Sequence, residues 1–274
     1  MTRILITGSN SGFGRLAALT LARQGHDVTA TMRDTAKGDE LRSVADDERL
    51  SIEIRPLDVC DDASVREAVG DPDEIDAIVN NAGFEVVGAV ELVDDELLVR
   101  QFDTNVRGPL RLVRAVLPTW RRRGSGTIVN VSSIAGVVGT PFSGVYAASK
   151  HALEALSEAL HFETAAYGIR VRLVEPGRFD TGFHHNIVAA DGWEQSDDFE
   201  RATRFRESQH ALSGDGPPAD PQDVADAIVR AVLDEDTPFR QFVGIDAQLI
   251  QSVKSSMSFE EFEAAMRATL NWYD

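Results

Sequence analysis

The chain has 274 residues, of which 43% are apolar, and a formal net charge of −18. This length suits one well-buried domain, and the composition is ordinary for a globular protein. The charge argues against nucleic acid and anionic membrane as partners, because both are polyanions; adaptation to a salty environment is a second interpretation. One cysteine, Cys60, excludes an intrachain disulfide and fits a cytoplasmic location. No apolar run reaches bilayer length, and the first residues lack a signal-peptide pattern.

The first half of the chain alternates strand-like and helix-like segments. Short β-branched runs predict strands at residues 2–7, 27–32, 51–59, 77–80, 126–132 and 170–174. Apolar residues at helical spacing predict helices at residues 14–24, 37–46, 62–69, 94–120 (in two parts) and 143–167. Repeated units of this kind imply a parallel sheet with right-handed crossovers. The predicted fold class is α/β, a doubly wound parallel sheet with its ligand site at the carboxyl ends of the strands.

The regular alternation stops near residue 177. Residues 177–221 contain few apolar runs and many polar and aromatic residues, which is typical of a functional or disordered segment. A helix at 223–233, a strand at 241–244 and an amphipathic C-terminal helix within 256–274 follow. Residues 1–274 are therefore expected to form a single domain.

The stretch TGSNSGFG connects the first predicted strand to the first predicted helix. Its glycines, Gly8, Gly12 and Gly14, allow a tight turn and a close approach of the backbone to a pyrophosphate. The N-terminus of the following helix offers free N–H groups and a positive dipole end to such an anion. A purely structural turn would leave the third glycine unexplained. The sequence therefore predicts a dinucleotide site.

Tyr146 and Lys150 lie at positions i and i+4 of a predicted helix. Lys150 is one of only three lysines in the chain. Residues at this spacing share a helix face, so an ammonium group is expected near the phenol. Such a charge lowers the pKa of a tyrosine and makes it a better general acid and base. The alternative is a packed tyrosine beside an exposed lysine.

Three motifs in this order resemble the short-chain dehydrogenase/reductase family. They are the G-x-x-x-G-x-G turn, the NNAG segment at residues 80–83 and the Tyr-x-x-x-Lys pair, and the likeness covers roughly residues 2–181. The resemblance implies a Rossmann fold and an oxidoreductase that acts on CH–OH groups with a nicotinamide cofactor. The NSGFGR and VEPGRFDTGF stretches are similar to the branch with hydroxysteroid and retinol dehydrogenases and bacterial ketoreductases.

The resemblance also implies a catalytic set around the tyrosine. Ser133 lies 13 residues before Tyr146, which is the family's spacing for the catalytic serine, and Ser132 is the competing choice. Asn105, in FDTNVRG, corresponds to the family's asparagine that holds a water beside Lys150 as part of a proton relay. In this scheme Ser133 and Tyr146 bind the substrate oxygen, and Tyr146 exchanges a proton with it during hydride transfer.

The cofactor contacts follow from the same resemblance. Thr181 is expected at the carboxamide or the phosphates, with a helix N-cap as its alternative role. The cofactor-binding residues implied are Gly8, Ser11, Gly12, Phe13, Gly14, Arg33, Asp58, Val59, Asn81, Ala82, Gly83, Tyr146, Lys150, Pro176, Gly177 and Thr181.

The choice between the two nicotinamide cofactors depends on the end of the second strand. Members of the family that prefer NAD carry an acidic residue there, whereas this chain has Met32 followed by Arg33. An arginine pairs well with a 2′-phosphate. Asp34 complicates the interpretation, because it lies near the usual position of the acid. NADP(H) is favoured over NAD(H).

The family's variable substrate lid corresponds to residues 178–219. Its aromatic residues and those near NNAG predict an apolar pocket for a hydrophobic ketone or secondary alcohol. The proposed pocket residues are Phe84, Phe142, Phe179 and Phe183.

The remaining expectations concern partners and alternatives. No His/Cys/Asp cluster has metal-ligand spacing, so no required metal is expected. Members of this family use two long helices as dimer faces, which implies a homodimer or homotetramer. A non-catalytic dinucleotide-binding regulator on the same fold is the main alternative, although such proteins generally lose the tyrosine or the lysine. A nucleotide-sugar epimerase usually needs a longer chain.

Overall fold

The computed structural model describes residues 1–209, 212 and 219–270, apart from the side chain of His184. The predicted lid and C-terminal helix therefore lie partly outside the described residues. The strands are β1 (Arg3–Thr7), β2 (Asp27–Met32), β3 (Ile52–Pro56), β4 (Ala77–Asn80), β5 (Glu85–Val87), β6 (Gly126–Val131), β7 (Ile169–Pro176), β8 (Ile187–Ala189) and β9 (Arg240–Val243). The helices are α1 (Gly12–Arg23), α2 (Asp39–Glu48), α3 (Asp62–Val69), α4 (Asp95–Phe102), α5 (Gly108–Arg123), α6 (Gly144–Ala165), α7 (Phe199–Ser208), α8 (Pro221–Leu233), α9 (Ile245–Ser256) and α10 (Phe259–Leu270).

Seven strands form one parallel sheet in the order β3-β2-β1-β4-β6-β7-β9. The chain first moves outward from β1 to β3 and then returns to place β4 on the other side of β1. The strand order therefore reverses between β1 and β4, and ligands of such sheets bind in the crevice outside the carboxyl ends at this point. The predicted doubly wound α/β fold is confirmed.

Successive residues of the central strands enter different cores, because side chains alternate across a sheet. Ile4 and Ile6 of β1 pack in a cluster with α1 and α8, whereas Leu5 packs in a second cluster with α3 and α5. All three are at most 2% exposed. Both faces of the sheet are thus covered by helices, which explains why the strands read as continuous apolar runs.

A π-helical turn, Asp103–Arg107, joins α4 to α5. The sequence predicts that the helical segment divides near Gly108. In the structure the chain stays helical there, but it contains one turn that is wider than an α-helical turn. Such bulges are rare in helices and frequently occur at functional sites. The turn carries Asn105, which is 1% exposed.

The region after β7 is more ordered than the sequence suggests. Strand β8 pairs in parallel with β5, with Glu85 opposite Ile187, and forms a separate two-stranded sheet. The helices α7 and α9 were also not anticipated. The first part of the expected lid, residues 178–209, is therefore tied to the segment that follows NNAG.

Candidate active site

The glycine turn between β1 and α1 has the shape that a pyrophosphate requires. Gly8 has φ +69° and Gly12 has φ +55°, a left-handed conformation that glycine adopts without strain. A Cβ atom at Gly14 would lie 2.5 Å from the side-chain nitrogen of Asn81 and 2.5 Å from the Gly8 oxygen. Helix α1 begins inside the turn and directs its free N–H groups toward it. The turn therefore fits the pyrophosphate of a dinucleotide.

The NNAG segment fixes this turn to β4. The Asn81 side chain donates hydrogen bonds to the backbone oxygens of Thr7, at 2.9 Å, and Gly8, at 3.0 Å. The Thr7 hydroxyl accepts from the backbone N–H groups of Asn81 and Ala82. These bonds span the point where the strand order reverses, so both sides of the crevice are held in register.

One large cavity of about 1490 Å³ opens at this edge of the sheet. It brings together nearly all of the sequence-predicted site residues, whereas Gly14 and Asn105 lie behind its wall. The predicted residues that line it are Gly8, Ser11, Gly12, Phe13, Arg33, Asp58, Val59, Asn81, Ala82, Gly83, Phe84, Ser133, Phe142, Tyr146, Lys150, Pro176, Gly177, Phe179, Thr181 and Phe183.

Tyr146, Ser133 and Lys150 meet in the middle of the cavity. Lys150 Nζ lies 5.8 Å from the centre of the Tyr146 ring, on the same face of α6. Nζ also donates a hydrogen bond of 2.9 Å to the backbone oxygen of Val131 at the end of β6. Lys150 is 6% exposed, so the alternative of a surface lysine is excluded.

The pKa of Tyr146 is raised, contrary to the expected acidification. Burial raises the pKa of Tyr146 first, the nearby charge of Glu85 raises it further, and a hydrogen bond with Ser133 opposes the rise. Burial lowers the pKa of Lys150 to about 8, against the charge of Glu154, which acts to raise it. Among the protein's own residues, burial of the phenol and the charge of Glu85 therefore oppose the acidification expected from Lys150.

Asn105 is held by three buried hydrogen bonds. Its side-chain oxygen accepts from the Phe84 N–H at 3.2 Å, and its nitrogen donates to the Phe84 oxygen at 3.0 Å and to the Ser149 hydroxyl at 3.2 Å. A Cβ atom at Gly83 would lie 3.2 Å from the Asn105 oxygen and 3.9 Å from Lys150 Nζ. Gly83 therefore keeps open the space between Asn105 and Lys150.

The two adjacent serines at the end of β6 face different surroundings. Ser133 lines the cavity, and its hydroxyl caps a short 3₁₀ turn by accepting from the Ala135 N–H at 3.2 Å. Ser132 is 4% exposed, and its hydroxyl has no hydrogen-bond partner among the described residues. A Cβ atom at Gly136 would lie 2.8 Å from the Ser132 hydroxyl and 2.9 Å from a Glu154 carboxylate oxygen. Both serines line the cavity, but the Ser132 hydroxyl lies on the side of Glu154, whereas the Ser133 hydroxyl bonds with Tyr146.

Charged residues surround the end of β2. Arg33 and Asp34 are both exposed and line the cavity. The Asp34 carboxylate accepts a hydrogen bond of 3.1 Å from the Ala36 N–H and so caps the following 3₁₀ turn. Lys37, which the sequence reasoning did not assign, lines the same part of the cavity. Two cations and one capped carboxylate therefore line the cavity at the end of β2.

The segment after β7 bends around the cavity because of a buried carboxylate. The backbone N–H of Arg178 donates to Asp246 at 2.7 Å, and a Cβ atom at Gly177 would lie 2.1 Å from the other Asp246 oxygen. Only glycine fits there. Thr181 lies beside the glycine turn, because a Cβ atom at Gly12 would be 3.7 Å from the Thr181 Cβ. Its hydroxyl accepts from the Phe183 N–H at 3.2 Å.

The four predicted pocket aromatics occupy different parts of the cavity. Phe179 packs edge-to-face against Phe13 at 5.6 Å, on the side of the glycine turn. Phe183 lies 6.3 Å from the Tyr146 ring. The Phe84 ring is covered by the Arg100 guanidinium at 5.1 Å. Phe142 contacts Trp193 at 5.4 Å between ring centres.

The C-terminal helix forms an apolar wall that sequence reasoning did not place in the site. Its side chains continue a cluster contributed by α7 and α9. The apolar residues of this wall are Phe205, Leu212, Ile250, Phe259, Phe262, Met266 and Leu270. Their signal in the sequence is the amphipathic pattern of residues 259–270, which shows that one face is buried but not what it faces.

A second unexpected feature lies behind Lys150. Glu154, one turn further along α6, and Glu175 of β7 are 5% and 0% exposed, and both bond to Arg240. Glu158, a further turn along, binds the same guanidinium at 2.6 Å. One oxygen of Glu154 and one of Glu175 have no partner among the described residues. The periodicity of acids on α6 was visible in the sequence, but their burial was not.

Among the residues that the structure describes, no group of three or more His, Cys, Asp or Glu side chains is arranged to hold a metal ion. A search of the same part of the chain finds no helix with the length and apolar character needed to cross a membrane.

Comparison with known proteins identifies relatives along nearly the whole chain. A family model described as short chain dehydrogenase matches residues 2–192. The 3-ketodihydrosphingosine reductase of Bacteroides thetaiotaomicron is 36% identical over 252 residues, covering 90% of this chain and 89% of that protein. Human retinol dehydrogenase 8 is 36% identical, with 92% and 84% covered. A short-chain dehydrogenase structure from Streptomyces avermitilis has a TM-score of 0.78 and 34% identity, with 98% and 100% covered.

The crevice at the strand reversal, the glycine turn and these relatives agree with one another. A dinucleotide fits the cradle of glycines, and the hydroxyls of Ser133 and Tyr146 line the same cavity. The chain belongs to the short chain dehydrogenase family and is an oxidoreductase that uses a nicotinamide dinucleotide to act on CH–OH groups.

Proposed function

We propose that the protein is an NADP(H)-dependent oxidoreductase that interconverts a ketone and a secondary alcohol with an apolar body, with Tyr146 as general acid and base. The observation that carries this proposal is the convergence of Tyr146, Ser133 and Lys150 in the cavity that the glycine turn also lines. A cytoplasmic homodimer or homotetramer is part of the proposal, on the basis of the family.

The side chains divide the work of proton transfer. The hydroxyls of Ser133 and Tyr146 bind the substrate oxygen and hold the carbonyl carbon in place. The bound nicotinamide supplies the hydride in reduction and accepts it in oxidation. Tyr146 gives its proton to the oxygen of the forming alcohol. Because the pKa of Tyr146 is raised, this transfer requires that the resulting phenolate be stabilised.

Lys150 and Asn105 restore that proton. The lowered pKa of Lys150, about 8, places its proton exchange close to neutral pH. The open space beside Gly83, bordered by Asn105 and Lys150, suits a water that links the amine to solvent. Asn105 bonds to both the N–H and the backbone oxygen of Phe84, the residue after Gly83, and these bonds keep this space constant in shape.

The preference for NADP(H) is supported by the charges at the end of β2. Arg33 and Lys37 offer two cations to a 2′-phosphate. The neighbouring carboxylate of Asp34 is engaged through one oxygen in capping a turn. An acid that is occupied in this way is less suited to bind ribose hydroxyls, so the balance favours the phosphorylated cofactor.

The apolar body of the substrate is supported by the wall that α7, α9 and α10 contribute. Phe183 beside Tyr146 continues this wall to the reacting carbon. The described part of the expected lid, residues 178–209, and α10 would then cover the substrate from two sides. A long or fused-ring apolar group suits a surface of this extent better than a small polar one.

Steady-state assays with NADPH and a series of apolar ketones test the proposal. Tyr146→Phe should lower kcat by at least about a hundredfold, because it removes the exchangeable proton. Tyr167→Phe is the matched control, since Tyr167 is half exposed in the turn that follows α6. Dinucleotide binding without turnover of any ketone or alcohol would instead indicate a sensing protein, and turnover unaffected by Tyr146→Phe would refute the mechanism.

A further inference from the structure

The substrate end of the cavity contains a carboxylate that the proposed chemistry does not use. Glu85 begins β5, directly after NNAGF, and lines the cavity together with Tyr146. The Ser143 hydroxyl donates a hydrogen bond of 2.6 Å to one of its oxygens. No cationic side chain among the described residues forms an ion pair with it.

The Glu85 side chain is partly withdrawn from water, which weakens the solvation of its carboxylate unless a cation or several donors compensate it. Burial raises the pKa of Glu85, the Ser143 hydrogen bond opposes this rise, and the charges of Arg206 and Arg178 oppose it from further away. One nitrogen of the Arg178 guanidinium donates to the Arg206 backbone oxygen at 2.9 Å, and neither arginine forms a hydrogen bond with Glu85 among the contacts of the described residues. The carboxylate therefore keeps acceptor capacity that no described residue fills.

The same carboxylate opposes the chemistry at its neighbour. Its negative charge is the second cause, after burial, of the raised pKa of Tyr146. A phenol that must pass through a phenolate gains nothing from an acid beside it. A cation bound at Glu85 would cancel this repulsion. The arrangement is thus unfavourable with a neutral ligand and favourable with a cationic one.

We propose that Glu85 binds a cationic amino group of the substrate, so that the protein acts on an amino ketone or the corresponding amino alcohol. This inference rests on the proposed function. Ser143, which holds Glu85, immediately precedes α6 and lies three residues before Tyr146, so the carboxylate and the phenol lie near the same end of this helix. A substrate whose amine is close to its carbonyl group suits this arrangement.

Two other features of the chain agree with such a substrate. The apolar wall from α7, α9 and α10 takes the remainder of the molecule, which leaves the amino ketone as its polar head. The net charge of −18 attracts a cationic molecule to the protein and repels an anionic one. The amine also distinguishes this substrate from a simple apolar ketone in the same cavity.

The test compares three alkyl ketones with chains of equal length. One carries a primary amine on the carbon next to the carbonyl, one carries a hydroxyl there, and one carries a methyl group. Steady-state reduction with NADPH near pH 7 should give a kcat/KM for the amine at least about tenfold above the other two. Glu85→Gln should reduce this preference to about twofold or less, because it retains the shape and removes the charge.

Glu91→Gln is the matched control, since Glu91 lies six residues further along, is exposed and does not line the cavity. It should leave the preference for the amine unchanged. An equal kcat/KM for the amine and methyl ketones, or an amine preference that survives Glu85→Gln, would overturn the inference while the proposed function stands. A hydroxyl ketone that performs as well as the amine would overturn the assignment of a cation.

Binding decides the matter if no ketone is turned over. Calorimetric titration of the NADP⁺-saturated Tyr146→Phe variant with the amino alcohol, and with the alcohol that has a methyl group in place of the amine, needs no catalysis. The inference expects the amino alcohol to bind at least about tenfold more tightly, and this difference to vanish when Glu85→Gln is added. Equal affinities in Tyr146→Phe would refute it.

Discussion

Lys150 donates its Nζ hydrogen bond to the backbone oxygen of Val131, across the gap between α6 and the end of β6. This bond fixes the position of the amine in the cavity, because Val131 belongs to β6, which is paired with another strand on each side. The sheet therefore fixes the position of the Lys150 amine, and burial sets the pKa of that amine. Its lowered pKa, about 8, has consequences for stability as well as for catalysis.

The first prediction concerns the pH dependence of unfolding. Lysine ordinarily has a pKa of 10.5, so between pH 8 and 10.5 the unfolded chain holds a proton that folded Lys150 has lost. Stability that depends on Lys150 must therefore rise with pH through this window. Between pH 7.5 and 9.5, wild type should gain about 1 to 3 kcal/mol relative to Lys150→Met in urea unfolding.

Lys37→Met is the control for this series, because Lys37 is exposed. Its free energy of unfolding should follow that of wild type across the same pH range. A constant difference between wild type and Lys150→Met would mean that the amine is not desolvated in solution.

The second prediction separates the role of Asn105 in positioning catalytic groups from its role in holding the backbone around Phe84. Asn105 and Gln101 are both buried, and both bond to the backbone between residues 84 and 86. Each alanine variant should lower the free energy of unfolding by about 1 to 3 kcal/mol, because buried backbone groups lose partners. Only Asn105 borders the space beside Lys150. Asn105→Ala should therefore also lower kcat by about tenfold or more.

Urea titration and steady-state kinetics on both variants make this comparison. Gln101→Ala should keep kcat within about twofold of wild type at temperatures where it is folded. Equal losses of kcat in the two variants would show that Asn105 acts only through the fold.

The third prediction concerns the choice of cofactor. Arg33→Ala and Lys37→Ala should each lower kcat/KM for NADPH by about tenfold, since each removes a charge-assisted contact to the 2′-phosphate. The value for NADH should change by less than about threefold, because that cofactor has no such phosphate. Arg42→Ala serves as control, because Arg42 is exposed nearby and pairs with Asp39. A parallel loss with both cofactors would refute the preference for NADP(H).

Sequence and structure agree best where the sequence pattern that predicts an element lies within that element. The strand at residues 77–80 and the helix at residues 62–69 were predicted with the observed bounds, because apolar runs and caps lie within the segments themselves. The pairing of β5 with β8 was not, since these strands are about a hundred residues apart and three residues long. Short non-local pairs leave no periodic pattern to detect.

The site shows the same division. The residues around the glycine turn and Tyr146 that line the cavity were found because motifs place them near strand ends, where a parallel sheet brings them together, whereas Lys37 and the apolar wall belong to no such motif. The raised pKa of Tyr146 was not predicted. It results from burial of the phenol and from the charge of Glu85, and both depend on the folded environment. The burial of Glu154 and Glu175 was likewise not predictable, as acidic residues on a helix and near a strand end are usually solvated.

The last prediction concerns the buried acid pair behind Lys150. Burial and the charge of Glu154 hold the pKa of Glu175 well above its ordinary value of 4.5, while Arg240 opposes the shift. The folded state therefore keeps a proton that the unfolded chain releases above pH 4.5. This contribution is present at low pH and is lost as pH rises toward the folded pKa. Glutamine is neutral at every pH and does not suffer this loss.

Glu175→Gln should accordingly become more stable relative to wild type as pH rises from 4.5 to 8, by about 1 to 3 kcal/mol in urea unfolding. The control is Glu158→Gln, which alters another carboxylate on Arg240 whose side chain is 54% exposed. Its stability difference from wild type should vary little over the same range, because an exposed ion pair contributes little. A pH-independent difference for Glu175→Gln would show that Glu175 is ionised in the folded protein and fully compensated by Arg240.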